Sequence, residues 1–225
     1  SNWNKRIDLL ETLREATGFA HAVHGINTRR GGKKPLAYGN GVLSRWPVEK
    51  AENRPFGKKT LGEKGFQYVE VASPIGALGL INLHLDYRSR RLRLGQVDQI
   101  LHFLRDRDDP LVSGRALCPI VCGDFNSKSG KLGDAVRHLA TGLVARAHYN
   151  VCPRNARTFP AQLPTRCLDF VFLPEPWREV RAQVIRSFVS DHRPVLVEFR
   201  RESTREAARD LERYAGAEPH RYAAR

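Results

Sequence analysis

A chain of 225 residues with 41% hydrophobic content can bury one substantial core, and no run in it reaches the roughly 18 apolar residues that a bilayer span requires. The formal net charge of +14 excludes nothing about the fold but narrows the partners to anions: nucleic acid, an anionic lipid surface or phosphorylated small molecules. The four cysteines, Cys118, Cys122, Cys152 and Cys167, lack Cys-x-x-Cys spacing, so the reading is free thiols on buried strands and not a zinc site.

Ile7, Leu10, Leu13 and Ala16 recur at helical spacing, and Gly18 follows as a helix stop. Phe19–His24 reads as a strand, 27–37 as a basic Gly/Pro loop, and Gly39–Ser44, Phe66–Ala72 and Leu78–His84 as further strands. Arg90–Leu104 is a helix with Val97, Ile100, Leu101 and Leu104 as its core stripe. Asp106–Pro110 is a polar stop, Ile120–Gly123 a buried strand and Gly133–Leu139 a short helix. Leu143–Ala147 leads a strand, and 150–166 is a Pro/Arg loop containing Thr158 and Phe159. Val180–Ser187 and Val195–Phe199 complete the strands. Beyond Arg200, Arg201, Arg205, Arg209 and Arg213 repeat every four residues beside Glu202, Glu206 and Asp210, as on a solvated helix.

Four strand ends carry chemistry. Pro119–Asn126 is a short apolar run that stops at Gly123 and delivers Asp124 and Asn126, two apart and therefore on one side of an extended segment. Leu80–Asp86 ends in His84, Cys167–Phe172 holds Asp169 within an apolar run, and Ser190-Asp191-His192 precedes the last strand. Taken singly, each reads as a turn or a satisfied core group. Taken together they need cations or partners, because carboxylates inside apolar runs are costly alone.

The ordered set Asn-x-His-Leu, Gly-Asp-Phe-Asn, Leu-Asp-Phe-Val-Phe and Ser-Asp-His-x-Pro-Val resembles the endonuclease/exonuclease/phosphatase superfamily. Tyr38–Arg45 resembles that family's Gly-Asn-x-x-Leu-Ser-Arg strand, and His84-Leu85-Asp86 with Arg91 and Gln96 resembles the segment opening its central helix. The resemblance implies an α+β fold, two packed β-sheets flanked by helices in a four-layer α/β sandwich. It covers 1–200, with a basic helix and tail over 201–225. Two strands that the family carries first, one bearing Asn and one ending in Gln-Glu, have no counterpart after Ser1, and the chain contains no Met. The expectation is an excerpt of a longer gene product, N-terminally incomplete.

The resemblance also implies a metal-dependent phosphodiesterase, with Mg²⁺ (or Mn²⁺ or Ca²⁺) as cofactor. Asp124 would activate a water and Asn126 would hold the phosphate or metal shell. His192 would donate to a phosphoryl oxygen, with Asp169 fixing its tautomer, and His84 would face the phosphate from the other side. Asp124, Asn126 and Asp191 would be the metal ligands, and Asn40, Arg88 and Arg91 would bind substrate. Charge favours nucleic acid through Arg29, Arg30, Lys33 and Lys34, through Lys58, Lys59 and Lys64, and through Arg88, Arg90, Arg91 and Arg93; the bland alternative is a solvated basic surface. A phosphatase or phosphodiesterase for lipid head groups or small metabolites is the alternative enzyme, and a non-catalytic nucleic-acid-binding remnant the alternative outside catalysis. The chain is expected to be a monomer, and cytoplasmic if no signal peptide precedes it.

Overall fold

Near-continuous apolar runs on the strands around Leu80 and Val171 call for a sheet with both faces covered, and the chain builds one. The computed structural model describes residues 7–32, 36–57, 64–107, 118–127 and 133–202. The elements are α1 (Leu9–Thr17), β1 (His21–Arg30), β2 (Leu36–Ser44), β3 (Val48–Pro55), β4 (Gly65–Ser73) and β5 (Gly76–His84). They continue with α2 (Arg90–Arg107), β6 (Ile120–Asp124), α3 (Asp134–Leu143), β7 (Tyr149–Cys152), β8 (Asp169–Pro174), β9 (Trp177–Val184) and β10 (Val195–Arg201). The expected basic helix beyond 202, and the lysines Lys33, Lys34, Lys58 and Lys59, lie outside the described residues.

The central sheet has six strands in the order β3-β4-β5-β6-β8-β7, with β5 and β6 parallel and the other neighbours antiparallel. One face packs on the helices. Phe66, Tyr68, Ile81, Leu83, Val121, Phe170 and Phe172 meet Val97, Ile100 and Leu104 of α2 and Val136, Leu139 and Leu143 of α3 in the main core. The opposite face carries two hairpins. The β1–β2 pair lies over β3, β4 and β5, where Val42 meets Val69 and Val71. The β9–β10 pair lies against β7 and β8, where Ala182, Val197 and Phe199 meet Ile120, Cys152 and Leu173. The layers are therefore helices, sheet and hairpins, an α+β sandwich with several sheets flanked by helices.

Most expected elements are present, and the departures have physical causes. Within the expected loop 27–37, residues 27–30 and 36–37 are strand: cross-strand pairing with β2, through a bulge between Ile26 and Thr28, carries β1 on to Arg30 despite the basic composition. The strand β3 has no apolar alternation to announce it. It is a charged edge strand, as edge strands often are, and pairs with β4. Leu143 closes α3, and the segment after it leads into β7, which begins at Tyr149 and runs over the start of the segment read as loop, held by pairing with β8. Helix α1 has its Asp8 cap and its Gly18 stop at φ 68°, yet none of its residues is buried and Leu9 and Leu13 stay exposed. Of the thiols, Cys152 alone is fully buried, and burial pushes it up to about 12 while its proton points at Glu179 2.7 Å away.

Gly123 is the residue on which the end of β6 turns. Its φ is 138°, a region that side chains avoid, and an added Cβ would lie 2.0 Å from the Leu83 carbonyl oxygen, a backbone atom that the sheet holds in place. Gly123→Ala should therefore lose roughly 3 kcal/mol or more of stability. Urea unfolding would measure it, and a loss under about 0.5 kcal/mol, the range of an ordinary surface substitution, would contradict the constraint.

Candidate active site

Register builds this site. Gly65 pairs with His84, His84 with Asp124, and Asp124 with Asp169, so one row crosses β4, β5, β6 and β8 at their ends. Paired residues share a face, and successive residues alternate. Ile81, Leu83, Val121, Phe170 and Phe172 face the helices; His84, Asp124 and Asp169 consequently project on the hairpin side. The site lies where that face runs out at the strand ends.

Asp124 is half-buried and held from two directions. Its Oδ1 accepts from the Asn126 backbone N–H at 2.8 Å, and its Oδ2 accepts from Asn126 Nδ2 at 3.0 Å. Asn126 reaches this position because its own backbone is left-handed, φ 48°, a conformation asparagine tolerates. Its second amide hydrogen goes to the Leu85 carbonyl at 3.0 Å, which leaves Oδ1 as its open acceptor. On the other flank His84 Nε2 stands 3.3 Å from Asp124 Oδ2.

His192 arrives from the turn before β10. Its Nδ1 is 2.8 Å from Asp169 Oδ2, so the proton on Nδ1 is donated to the carboxylate and Nε2 faces the site. That hydrogen bond, reinforced by the charges of Asp169, Asp124 and Asp191, raises the His192 pKa against the opposing effect of burial. One ligand atom each from Asp124, Asp169 and His192 lies within 4.8 Å of the others. This is an oxygen-rich set without thiolate, and it fits a hard divalent cation.

Sequence reasoning did not assign the supports of this turn. Phe159 lies 4.9 Å from the His192 ring, centroid to centroid. The Thr158 carbonyl accepts from the Arg193 N–H at 2.8 Å, its hydroxyl accepts from the Leu168 N–H at 3.0 Å, and Ala161 N–H donates to the Asp191 carbonyl at 2.8 Å. The loop before β8 thus fixes both Asp169 and His192. Thr158 is fully buried, which the polar, Pro-rich stretch around it does not announce.

The other expected residues are placed differently. Asp191 is exposed, with its carboxylate taken by Ser190 Oγ at 3.2 Å, and it stands outside the converging group. Asn40 is buried and spends both amide hydrogens on backbone, the Gly65 carbonyl at 3.1 Å and the Asn82 carbonyl at 2.9 Å, so it clamps β2 to β4 and β5. Arg88 and Arg91 are exposed. Arg93, grouped with them by sequence, is buried: it donates to the Asp86 carbonyl and pairs with Asp134 at 3.3 Å, tying α2 to α3. Arg90 reaches the same carboxylate at 3.3 Å while staying exposed. Asp86 opens α2 by accepting from the N–H groups of Arg88 and Ser89.

Comparison with known proteins gives the family and the fold. The model of the Endonuclease/Exonuclease/phosphatase family matches residues 2–192. The chain is 29% identical over 171 residues to YbhP, an uncharacterized protein of Escherichia coli; the match covers 72% of the chain and 62% of YbhP. Among solved structures, an endonuclease/exonuclease/phosphatase family protein of Bacteroides thetaiotaomicron superposes with a TM-score of 0.65 at 15% identity, covering 84% of this chain and 76% of that one. The mannosyl-6-phosphatase of the same organism gives 0.64 at 16% identity, with 84% and 80% covered. The catalytic domain of human Nocturnin gives 0.60 at 17%, with 87% and 77% covered.

In metal-free protein the His192 ring should titrate above the ordinary value of about 6.5, and Asp169→Asn should lower it. A histidine raised on folding stabilises the fold fully below about 6.5 and loses that contribution as pH rises through the folded pKa. Ring-proton NMR over pH 5–9 measures the shift. A His192 pKa unchanged by Asp169→Asn would contradict the pairing.

Proposed function

Because the chain belongs to the endonuclease/exonuclease/phosphatase family, whose members are phosphoester hydrolases, we propose that it is a divalent-metal-dependent phosphodiesterase acting on nucleic acid. The observation that carries the reading is the convergence of Asp124, Asp169 and His192 at the ends of β6 and β8. Asp124 and the open Oδ1 of Asn126 are the residues that would hold Mg²⁺, or Mn²⁺ or Ca²⁺, with Asp169 beside them. When bound, the cation supplies charge neutralisation for phosphoryl oxygens and lowers the pKa of water.

The chain's own residues supply the rest. Asp124, locked by two hydrogen bonds from Asn126, is oriented to accept the proton of an attacking water. His192 keeps its Nδ1 proton on Asp169, so Nε2 is the atom presented to a non-bridging oxygen, and the raised pKa favours the protonated donor. Phe159 packs against the ring at a tilt and helps hold its orientation. The substrate class rests on charge: at +14 the molecule attracts polyanions, and Arg29, Arg30, Arg88, Arg90 and Arg91 are exposed. A phosphorylated sugar or lipid head group is the second reading, favoured by the likeness to a mannosyl-6-phosphatase.

His192→Ala should lower turnover of bis(p-nitrophenyl) phosphate or plasmid DNA by about 10²–10⁴-fold without unfolding the protein. Exhaustive removal of divalent metal should abolish turnover, and added Mg²⁺ or Mn²⁺ should restore it. Steady-state kinetics with and without EDTA decide both; a His192→Ala rate within a few-fold of the parent, or EDTA-resistant turnover, would sink the mechanism.

Duplex DNA should bind with a steep salt dependence, each neutralised phosphate adding about −0.9 to the slope of log K against log salt. Replacing exposed Arg88 and Arg91 with Ser should flatten that slope by roughly one to two units. Fluorescence anisotropy across a salt series measures it. An unchanged slope in the double variant would remove these arginines from the nucleic-acid surface, and salt-insensitive binding would move the sugar or lipid reading ahead.

A further inference from the structure

Lys64 immediately precedes β4 and is only 6% exposed. Lysine is almost never buried this deeply without partners, because removing an ammonium from water is costly. Its Nζ lies 2.6 Å from His84 Nε2 and 3.1 Å from the Tyr38 hydroxyl of β2. The same Nζ lies 3.3 Å from His84 Nδ1, so the ammonium stands against the edge of the imidazole ring, and His84 holds it in place. The same Nε2 stands 3.3 Å from Asp124 Oδ2, so the lysine is one side chain away from the carboxylate at the centre of the site.

The backbone beneath it is well fastened. The Lys64 carbonyl accepts from the Phe56 N–H at 2.9 Å, and Gly65 is paired to both Pro55 and His84. The Gly65 carbonyl also receives Asn40. Gly65 itself leaves no room for a side chain, since a Cβ there would come 2.5 Å from Asn27 Oδ1. The position of Lys64 is thus set by four strands, β2 through β5, with the accuracy that a site residue needs.

We propose that Lys64 binds a non-bridging oxygen of the scissile phosphate, from the β4 flank, while His192 addresses the phosphate from the β8 flank. The inference rests on the phosphodiesterase reading above. Its physical motive is electrostatic. Two carboxylates, Asp124 and Asp169, face the position an anionic phosphate must occupy. A fixed ammonium beside them offsets that repulsion, and lysine serves phosphate as a point charge.

The test uses the whole chain, bis(p-nitrophenyl) phosphate as substrate and inorganic phosphate as competitive inhibitor, with Lys64→Met and Lys64→Arg beside the parent. Lys64→Met should lower kcat/KM by about 10²-fold or more and weaken phosphate inhibition about tenfold. Lys64→Arg, which keeps the charge, should hold phosphate inhibition within about threefold of the parent while still losing rate through the changed shape. Phosphate inhibition equal to the parent's in the Met variant overturns the assignment and leaves the phosphodiesterase reading standing. Equal losses of inhibition in the Met and Arg variants, with a lowered Tm in both, mark a packing role and overturn it too. A parent that neither turns over the substrate nor binds phosphate overturns the reading of the site, and the role of Lys64 with it.

Discussion

Strand register is the constraint from which the site follows. A sheet with a side-chain period of two gives its designer one choice per strand: which set faces the core. Here the helix-facing set is fixed by Ile81, Leu83, Val121, Phe170 and Phe172, all packed against α2 and α3. Once these are buried, His84, Asp124 and Asp169 have no alternative but the other face, in one row, at the strand ends. A slip of one residue on any strand would send an apolar residue to the hairpin side and a charged one into the core. Core packing and site geometry are therefore the same requirement, and Gly123 is where they meet, since a side chain at that position would strike the Leu83 carbonyl just before Asp124.

Bringing two carboxylates to adjacent positions of one row is unfavourable in itself, and the surroundings respond with positive or donating groups. Asp169 is met by His192, whose raised pKa reports the attraction. Asp124 is met by two donors from Asn126 and by the His84 ring. Behind these, the Arg93–Asp134 pair and the hydrogen bond from Ser127 to Asp134 at 2.7 Å hold α2 and α3 together directly under the Asp124–Asn126 turn. With both partners largely buried, that pair fixes geometry more than it adds stability. The acidic pair remains the place where a divalent cation has most to offer.

Apolar period and strand punctuation carried most of the fold in the sequence. The α2 stripe, the strand β4 and the Gly-Asp-Phe-Asn end of β6 were all legible, because packing there obeys local pattern. What was not legible depends on contacts distant in sequence. The strands β3 and β7 exist because a neighbour pairs with them and not because of their own composition. Among the candidate-site residues, Asp124, Asp169 and His192 could be named from their motifs. Arg93 looked like its exposed neighbours, and only the fold shows it turned inward to Asp134. Lys64, in a basic Gly-containing stretch, looked like any solvated lysine until the pairing of Gly65 with His84 placed it beside the site. Asn40 and Asn126 were visible as polar residues in or at the end of strands, but their division between clamping backbone and facing the site is a matter of rotamer and register.

The central claim is that the ends of β6 and β8 and the His192 turn form one cation-holding centre. Its most direct test needs no substrate: titrate the isotope-labelled chain with Mn²⁺ and follow paramagnetic broadening of backbone amide signals. The account predicts that the amides around Asp124, Asn126, Asp169 and His192 broaden first and together, and that Asp124→Ala abolishes this. Broadening spread evenly over exposed acids such as Asp98 and Asp106, or unchanged by Asp124→Ala, would contradict it.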